Sequence, residues 1–274
     1  MLGAIIGDIV GSRFEFNPTN DYNFELFGEG CSFTDDTVCT IAVADAILRG
    51  IDYGECMHEW CRKYPNPKGG YGARFYQWVM SENPVPYGSF GNGSAMRVSP
   101  IAWWFDLHTG MLEEAKKSAS CTHNHQFGID GAVAVVAAIN GCLRMRKEKN
   151  GQPITRDDIL NCGLAHAIST FGQDPQNFNV DIEEHRNVFD ETCQGTVPVA
   201  FAIVLESESF EDAIRKAVSL GADADTLGAI VGSIAEPLWG IPEGIKSKAL
   251  TYLPEEMKEV VGTFQLRMEE VNRE

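Results

Sequence analysis

The chain has 274 residues, with 22 Lys and Arg against 39 Asp and Glu, which gives a formal charge of −17 at pH 7. This length allows one large domain or two small ones, and a hydrophobic share of 44% excludes an intrinsically disordered chain. The acidic balance argues against direct binding of nucleic-acid phosphates, which requires a face rich in Lys and Arg. Small phosphorylated ligands remain possible, because backbone amides and metal ions can hold them.

No secretory leader is expected at the N-terminus, because residues 1–10 lack a basic start and Asp8 interrupts their apolar stretch. The longest apolar run, residues 132–139, falls far short of the roughly 18 residues that a membrane helix needs. We therefore expect a cytoplasmic protein without a membrane segment.

The eight cysteines form no C-x-x-C pair, and several stand inside apolar helical segments. This pattern is typical of buried free thiols in a reducing compartment, and not of a disulfide framework or a zinc site. The cysteines are Cys31, Cys39, Cys56, Cys61, Cys121, Cys142, Cys162 and Cys193.

The first predicted helix carries a glycine at every fourth position, namely Gly3, Gly7 and Gly11. These glycines lie on one face of the helix, which is therefore smooth and can pack closely against a neighbour. The same helix carries Asp8, which we interpret as a structural acid satisfied by neighbouring groups. Glu15 follows just beyond the helix, in a segment that leads to a loop, and is the better candidate for a functional site.

Four later helices are apolar on nearly all sides, as expected deep inside an all-helical protein. They are predicted over residues 37–48, 131–145, 197–205 and 227–235. Capping boxes mark two further helix starts, at Thr155 with Asp158 and at Ser209 with Asp212. Pro254 begins a last, amphipathic helix that ends near residue 271.

Strand patterns are scarce, because the segment at residues 179–182 is too short to build a sheet on. Polar and glycine-rich segments separate the helices, and none of them is a low-complexity linker. They lie at residues 17–34, 65–73, 83–97, 122–127 and 172–186. We predict a single compact all-α domain over residues 1–274 that brings these loops together.

The first concentration of chemistry is Thr34-Asp35-Asp36-Thr37, immediately before an apolar helix. Its simplest interpretation is an N-cap with acids near the positive end of the helix dipole. However, two carboxylates at the start of a buried helix are costly unless a cation compensates them. From this segment alone, both interpretations stay open.

A second acidic segment, Asp223-Ala224-Asp225-Thr226, precedes another apolar helix. Residues i and i+2 point about 200° apart on a helix, so Asp223 and Asp225 can converge only from a non-helical turn, and Gly221 provides the backbone freedom for one. The two segments together offer six oxygen donors, which suit one or two Mg²⁺ or Mn²⁺ ions. Zinc would prefer His or Cys, which both segments lack.

A glycine-rich segment at residues 87–97 matches neither a Walker A loop nor a dinucleotide fingerprint. A glycine-rich turn that enters a helix presents free N–H groups and can hold a diphosphate, although a plain turn is the simpler interpretation. Phe90 is either a stacking surface for a base or sugar, or a core side chain. His123 and His125 are either structural or placed to orient a phosphate or a sugar hydroxyl.

Five motifs, in this order, resemble those of the ADP-ribosylglycohydrolase family, which includes the dinitrogenase reductase-activating glycohydrolases and the animal ADP-ribosylhydrolases. The resemblance extends over most of the chain. The motifs are Gly7-Asp8-x-x-Gly11-x-x-x-Glu15, Thr34-Asp35-Asp36-Thr37, Gly91-Asn92-Gly93-Ser94-Ala95-Met96-Arg97, Thr122-His123 and Asp223-x-Asp225-Thr226.

The resemblance implies an all-α enzyme with two Mg²⁺ ions in a cleft (Mn²⁺ is the alternative), which hydrolyses the glycosidic bond at ribose C1 of ADP-ribose conjugates. The implied metal ligands are Thr34, Asp35, Asp36, Asp223, Asp225 and Thr226. Gly88, Ser89, Phe90, Gly91 and Asn92 would line the diphosphate and ribose site, and His123 would contact the phosphate side. Glu15 would be a mobile carboxylate beside the metals, and either Glu15 or Asp36 would take or deliver the proton.

One departure from the family bears on the acceptor. Members that release ADP-ribose from arginine are expected to carry an acid in the loop that matches residues 65–75, and here that loop contains none. Its Gly70-Tyr71-Gly72-Ala73 stretch is similar to members that act on serine-linked or polymeric ADP-ribose. The resemblance thus favours these conjugates over arginine, although a carboxylate from another loop would reverse this preference.

The expected partner is an ADP-ribosylated protein or a small ADP-ribose conjugate, on which the protein acts as a monomer. Two other functions stay open at this point. The first is a non-catalytic protein of the same fold that binds ADP-ribose or a related nucleotide. The second is a metal-dependent phosphohydrolase that cleaves the diphosphate.

Overall fold

The chain folds almost entirely into helices in the computed structural model, which describes residues 1–106 and 110–271 without the side chains of Cys162 and Val271. The α-helices are α1 (Leu2–Gly11), α2 (Asp35–Arg49), α3 (Tyr53–Lys63), α4 (Ala73–Met80), α5 (Gly93–Met96), α6 (Ser99–Trp104), α7 (Met111–Ser120), α8 (Gln126–Lys149), α9 (Arg156–Asp158), α10 (Ala165–Thr170), α11 (Cys193–Leu205), α12 (Phe210–Ser219), α13 (Ala224–Trp239), α14 (Glu243–Leu250) and α15 (Glu255–Val271). A π-helical segment, Ile159–Leu164, joins α9 to α10, and 3₁₀ turns lie at Pro175–Asn177 and Ile182–His185.

All four predicted apolar helices are present, as α2, α8, α11 and α13, and each extends beyond its predicted range. Within the described ranges, β-structure is limited to two isolated bridges, Thr34 with Lys68 and Gly91 with Thr192. The predicted single compact all-α domain is therefore confirmed. The second bridge joins the segment before α5 to the segment before α11, which lie far apart in the sequence.

The two predicted capping boxes have different outcomes. Thr155 Oγ1 accepts from the Asp158 N–H at 3.2 Å, and the Asp158 carboxylate accepts from the Thr155 N–H at 2.9 Å, which confirms the first box. Ser209 Oγ accepts from the Asp212 N–H at 3.1 Å, but the Asp212 carboxylate accepts from the Glu208 N–H instead. Ser209 is therefore a cap without the reciprocal bond of a full box.

Helix α8 is long and apolar enough to cross a membrane by length and composition alone. However, 67% of its most apolar window is buried inside the protein, where α8 packs against α7, α10 and α13. Burial in the core explains the apolar composition of this helix.

The cysteines whose side chains the structure describes are free thiols. Cys31 and Cys121 are half-buried and the others are buried, in agreement with the prediction of buried thiols. The side chain of Cys162 lies outside the described part of the chain.

Helices α1 and α13 pack with their backbones in contact, as the glycine face of α1 predicts. A Cβ on Gly7 would lie 1.9 Å from the carbonyl oxygen of Gly228, and one on Gly3 would lie 2.2 Å from that of Gly232. At the other end of α1, a Cβ on Gly11 would lie 2.2 Å from the carbonyl oxygen of Ala224. No side chain fits between the two helices at these points.

This antiparallel contact sets the C-terminal end of α1 beside the N-terminal end of α13. Asp8, near the end of α1, also accepts hydrogen bonds from Thr34 and Thr37 at the start of α2. Three helix ends therefore meet at one place, and the predicted acidic segments open both α2 and α13.

We predict that Gly7→Ala destabilises the protein, because its methyl group would overlap the Gly228 carbonyl and force the two helices apart. Overpacking of this kind costs about 2–3 kcal/mol, which exceeds the roughly 0.5–1 kcal/mol that alanine gains over glycine in a helix. The free energy of unfolding, measured by urea denaturation, checks this prediction.

Gly262→Ala in α15 is the matched control, since nothing lies within 4 Å of a Cβ at that position. We expect this substitution to stabilise the protein by roughly 0.5–1 kcal/mol through helix propensity alone. Equal effects of the two substitutions would contradict the close α1–α13 contact.

Candidate active site

A cavity of about 330 Å³ opens where the three helix ends meet. One wall is acidic and contains Glu15, Asp35, Asp36, Asp223 and Asp225 with Thr226. A second wall consists of the glycine-rich segment that leads into α5, with Tyr87, Ser89, Gly91, Asn92 and Gly93, and of Arg97 and His123. The loop before α4, the first turn of α4 and the segment before α11 complete the rim, with Gly70, Gly72, Ala73, Arg74, Phe75, Phe189 and Glu191.

The acidic segment of α2 is anchored by Asp8. Thr34 is the N-cap and accepts from the Asp36 N–H at 3.2 Å. The fully buried Asp8 carboxylate accepts from the N–H and hydroxyl of Thr34, at 3.0 and 2.8 Å, and from the N–H of Thr37 at 3.1 Å. The hydroxyl of Thr37 also donates to it. Asp8 therefore holds the start of α2 in place, as a structural acid does.

The acidic segment of α13 begins at the predicted turn. Gly221 has a φ of +72°, in the left-handed region that favours glycine. Asp223 follows as the N-cap of α13, and Asp225 lies in its first turn. The Asp223 and Asp225 carboxyl groups interact with each other, and this contact raises the pKa of Asp223, so the turn does bring the two acids together.

The structure also brings the α2 and α13 segments together. The hydroxyl of Thr226 donates to Asp36 Oδ2 at 3.3 Å across a separation of 190 residues. Asn92 of the second wall donates from Nδ2 to Asp223 Oδ2 at 2.8 Å and to Thr196 at 3.1 Å. The glycine-rich loop is thereby tied to the acidic wall.

The carboxyl groups of the acidic wall repel one another in a buried place. Burial, followed by the charge of Asp225, raises the pKa of Asp8 to about 7. Burial also raises the pKa values of Asp36 and Asp223 well above the ordinary range, and the charge of Asp225 adds to both shifts. Such a cluster is unfavourable when it is fully ionised, and it is therefore a strong attractor of protons or cations.

Glu15 lies half-buried at the edge of this cluster, where its carboxyl group interacts with that of Asp225. Burial and then the charges of Asp225 and Asp8 raise its pKa to about 8, while Lys68 opposes the shift. Its Oε2 lies only 2.3 Å from where a Cβ on Gly69 would stand, and Gly69 has a φ of +77°. Glycine at this position therefore lets the loop approach the Glu15 carboxyl.

The donor set of the acidic wall fits a hard divalent cation in its chemistry. All of its donors are carboxylate or hydroxyl oxygens, and Asp36 Oδ1 is buried without a hydrogen-bond partner. In the described part of the chain, however, no group of three or more His, Cys, Asp and Glu side chains is arranged to hold an ion. The acids lie in one cluster, but part of their oxygens bind each other.

Of the residues that the resemblance assigns to the diphosphate and ribose, some line the cavity and others do not. Ser89, Gly91, Asn92 and His123 line the cavity, whereas Gly88 and Phe90 lie outside its lining. Gly88 donates its N–H to Asn124 Oδ1 at 2.6 Å. Phe90 is 45% exposed, with its ring 5.4 Å from that of His125, and is therefore not a core side chain.

Several lining residues had no assigned role in the sequence analysis. Phe189 and Glu191 come from a loop without periodicity or motif, so no local signal could have singled them out. Arg74 lies with its guanidinium 4.8 Å from the centre of the Tyr87 ring. It belongs to the segment 65–75, which the sequence had already linked to the choice of acceptor. Arg97 is the last residue of the Gly91–Arg97 motif, but only its burial and its hydrogen-bond partners suggest a function for it.

Comparison with known proteins agrees with the geometry. The family model described as ADP-ribosylglycohydrolase matches residues 1–270. The chain is 24% identical to the ADP-ribosylhydrolase ARH3 of Danio rerio, over 88% of this chain and 82% of the relative. It is 26% identical to the ADP-ribosylarginine hydrolase Tri1 of Pseudomonas putida, over 91% and 73%. The ADP-ribosyl-[dinitrogen reductase] glycohydrolase of Rhodospirillum rubrum is 24% identical, over 90% and 87%.

A solved structure described as an ADP-ribosylglycohydrolase-related protein complex has the same fold, with a TM-score of 0.68 over 97% of this chain and 96% of that chain, at 23% identity. The predicted enzyme class, a glycohydrolase, is confirmed by the family match. Since that match extends over nearly the whole chain, the protein belongs to the ADP-ribosylglycohydrolase family.

Proposed function

We propose that the protein hydrolyses the bond between ribose C1 of ADP-ribose and its acceptor, and that it requires two Mg²⁺ ions. The observation that carries this proposal is the meeting of the α2 and α13 segments, through Thr226 and Asp36, on one wall of a cavity. The second wall presents a glycine-rich loop and a histidine, which suit a diphosphate. A single ligand with a sugar at one end and a diphosphate at the other fits this arrangement.

The proposed metal ligands are the six residues of the two helix starts, Thr34, Asp35, Asp36, Asp223, Asp225 and Thr226. Because part of their oxygens bind one another, these side chains must turn toward common points to hold the ions. When bound, the ions would orient the ribose hydroxyls and lower the pKa of a water molecule. The Thr34 hydroxyl donates its proton to Asp8 and accepts from the Asp36 N–H, which leaves one lone pair of that oxygen for a ligand role.

Among the acids, Glu15 is best placed to move a proton. It is the one at the edge of the cluster beside the rim loop, and its raised pKa keeps a proton available near neutral pH. Asp36 is more deeply buried, with 2% of its surface exposed. We therefore assign the proton at the leaving acceptor atom to Glu15, and the stabilisation of positive charge developing on the ribose ring to the surrounding carboxylates.

The rim supports an acceptor hydroxyl rather than a guanidinium. The part of the 65–75 loop that lines the cavity, Gly70 and residues 72–75, contains a cation, Arg74, and no acid. A guanidinium acceptor would need a carboxylate partner there. Glu191, which enters the rim from another loop, is the candidate that would reverse this assignment.

The first prediction concerns the product and the acceptor. With Mg²⁺, the purified protein should release free ADP-ribose from serine-linked peptides at least about tenfold faster than from arginine-linked peptides, which corresponds to about 1.4 kcal/mol of discrimination. Mass spectrometry identifies the product. Release of AMP would indicate a phosphohydrolase, and binding without any product would indicate a non-catalytic protein.

The second prediction concerns the acidic wall. Asp35→Asn and Asp225→Asn should each reduce kcat by about a thousandfold or more and leave the fold intact, because a neutral amide removes a ligand and also relieves repulsion. Asp157→Asn on the exposed α9 is the matched control and should keep full activity. Full activity of Asp225→Asn, or of the wild type in EDTA, would contradict the metal-dependent mechanism.

The third prediction concerns pH and stability. Carboxyl groups whose folded pKa is raised bind protons more tightly in the folded state, so they contribute stability at low pH that is lost as the pH rises toward 7–8. In EDTA, the melting temperature should therefore fall between pH 5.5 and 8.5. Saturating Mg²⁺ should raise it by about 4–8 °C at pH 8, and by less than half as much at pH 5.5, where protons compete for the same oxygens.

Differential scanning fluorimetry of the wild type and of Asp225→Asn separates this effect from the titration of the surface. The variant should lose most of the Mg²⁺-dependent rise at pH 8. An equal rise in both proteins would place the ions elsewhere.

A further inference from the structure

Arg97 is a fully buried cation without an acidic partner. Its side chain is 1% exposed, and within the described residues it forms no ion pair with an acid. It donates from Nη2 to the Ser118 carbonyl at 3.0 Å and to the Thr122 hydroxyl at 2.8 Å, with the Cys121 sulfur at 3.7 Å. Burying a charge without an opposite charge beside it costs free energy, so the hydrogen bonds of this guanidinium need an explanation.

In the bond between Arg97 and Thr122, the guanidinium is the donor and the Thr122 hydroxyl oxygen is the acceptor, because a guanidinium donates and never accepts. Thr122 is completely buried, and its own hydroxyl proton therefore needs an acceptor. The partner that stands ready is Nδ1 of His123, at 2.7 Å. These contacts favour one direction for the chain: Arg97 donates to Thr122, and Thr122 donates to His123.

A histidine that accepts at Nδ1 carries its proton on Nε2 when it is neutral. Burial, followed by the charges of Arg97 and Arg74, lowers the pKa of His123 well below its usual value, so the ring is neutral at physiological pH. Nε2 lies on the side of the glycine-rich loop, 3.1 Å from where a Cβ on Gly93 would stand and 3.6 Å from one on Gly91. His123 therefore presents an N–H to the cavity wall that suits an anion.

We propose that Arg97 and Thr122 are positioning residues that hold His123 as the Nε2–H tautomer, so that the neutral ring donates a hydrogen bond to an anionic ligand in the cavity. The identification of that anion as the diphosphate of ADP-ribose rests on the proposed function. The tautomer itself does not, since it follows from the hydrogen bonds of the protein alone.

Long-range ¹H–¹⁵N correlation spectra of protein labelled with ¹⁵N-histidine report which ring nitrogen carries the proton. The signals of His123 among the six histidines are identified by their loss in His123→Gln. The wild type should show protonated Nε2 and unprotonated Nδ1. Thr122→Val, which keeps the side-chain shape and removes the hydroxyl, should shift the ring toward the Nδ1–H form, whereas Thr122→Ser should retain the wild-type pattern.

The same variants test the consequence for binding, with ADP-ribose as the probe in calorimetry. Thr122→Val should weaken ADP-ribose binding by about ten- to a hundredfold, and raise KM more than it lowers kcat, since a hydrogen bond to an anion is lost. Thr122→Ser should restore both values.

An Nδ1–H ring in the wild type, or an unchanged tautomer in Thr122→Val, would overturn the proposal. Equal ADP-ribose affinity of Thr122→Val and the wild type would overturn the role of the tautomer in binding. Failure of the wild type to bind ADP-ribose at all would instead count against the proposed function, because the spectra on the free protein do not depend on that ligand.

Discussion

The backbone contact between α1 and α13 is the constraint on which the rest of the structure depends. Two helices can approach this closely only where both lack side chains, and the Gly7–Gly228 and Gly3–Gly232 pairs provide such positions. The contact fixes both the distance and the register of the two helices. Asp8 is therefore carried to the start of α2, and the first turn of α13 is set against the end of α1, so a packing feature determines where the acids stand.

The acidic wall shows how such a scaffold can hold a group of charges that repel one another. Desolvation and mutual repulsion raise the pKa values of its carboxyl groups, and this cost must be met by the surrounding core. Asp8 differs from the other acids because its carboxylate oxygens accept hydrogen bonds from the N–H and hydroxyl groups of Thr34 and Thr37. The same residue type is thus structural where donors surround it and available for chemistry where they do not.

The sequence was most informative where a local pattern has a single structural meaning. The glycine spacing of α1, the caps at Thr34 and Thr155 and the turn at Gly221 follow from short-range rules. The meeting of Asp36 with Thr226 depends on tertiary packing, so no local rule could place them together. The oxygen donors of the two helix starts suggested a shared ion, and the resemblance to a family supported that interpretation. Phe189 and Glu191 lie in an irregular loop, so no sequence pattern could indicate that they line the cavity. The exposed position of Phe90 depends on how its loop leaves the core, which a sequence pattern does not show either.

The side chain of Asn92 spans the two walls of the cavity, because one amide group binds Asp223 while the backbone around it belongs to the glycine-rich loop. Under the proposed function, a cation that displaced Asp223 would therefore also act on the loop, and a diphosphate that reshaped the loop would act on Asp223. Thermodynamic reciprocity then requires each occupant to change the affinity of the other by the same factor. The two ends of the proposed ligand would then be recognised together, with the Asn92–Asp223 hydrogen bond as the link.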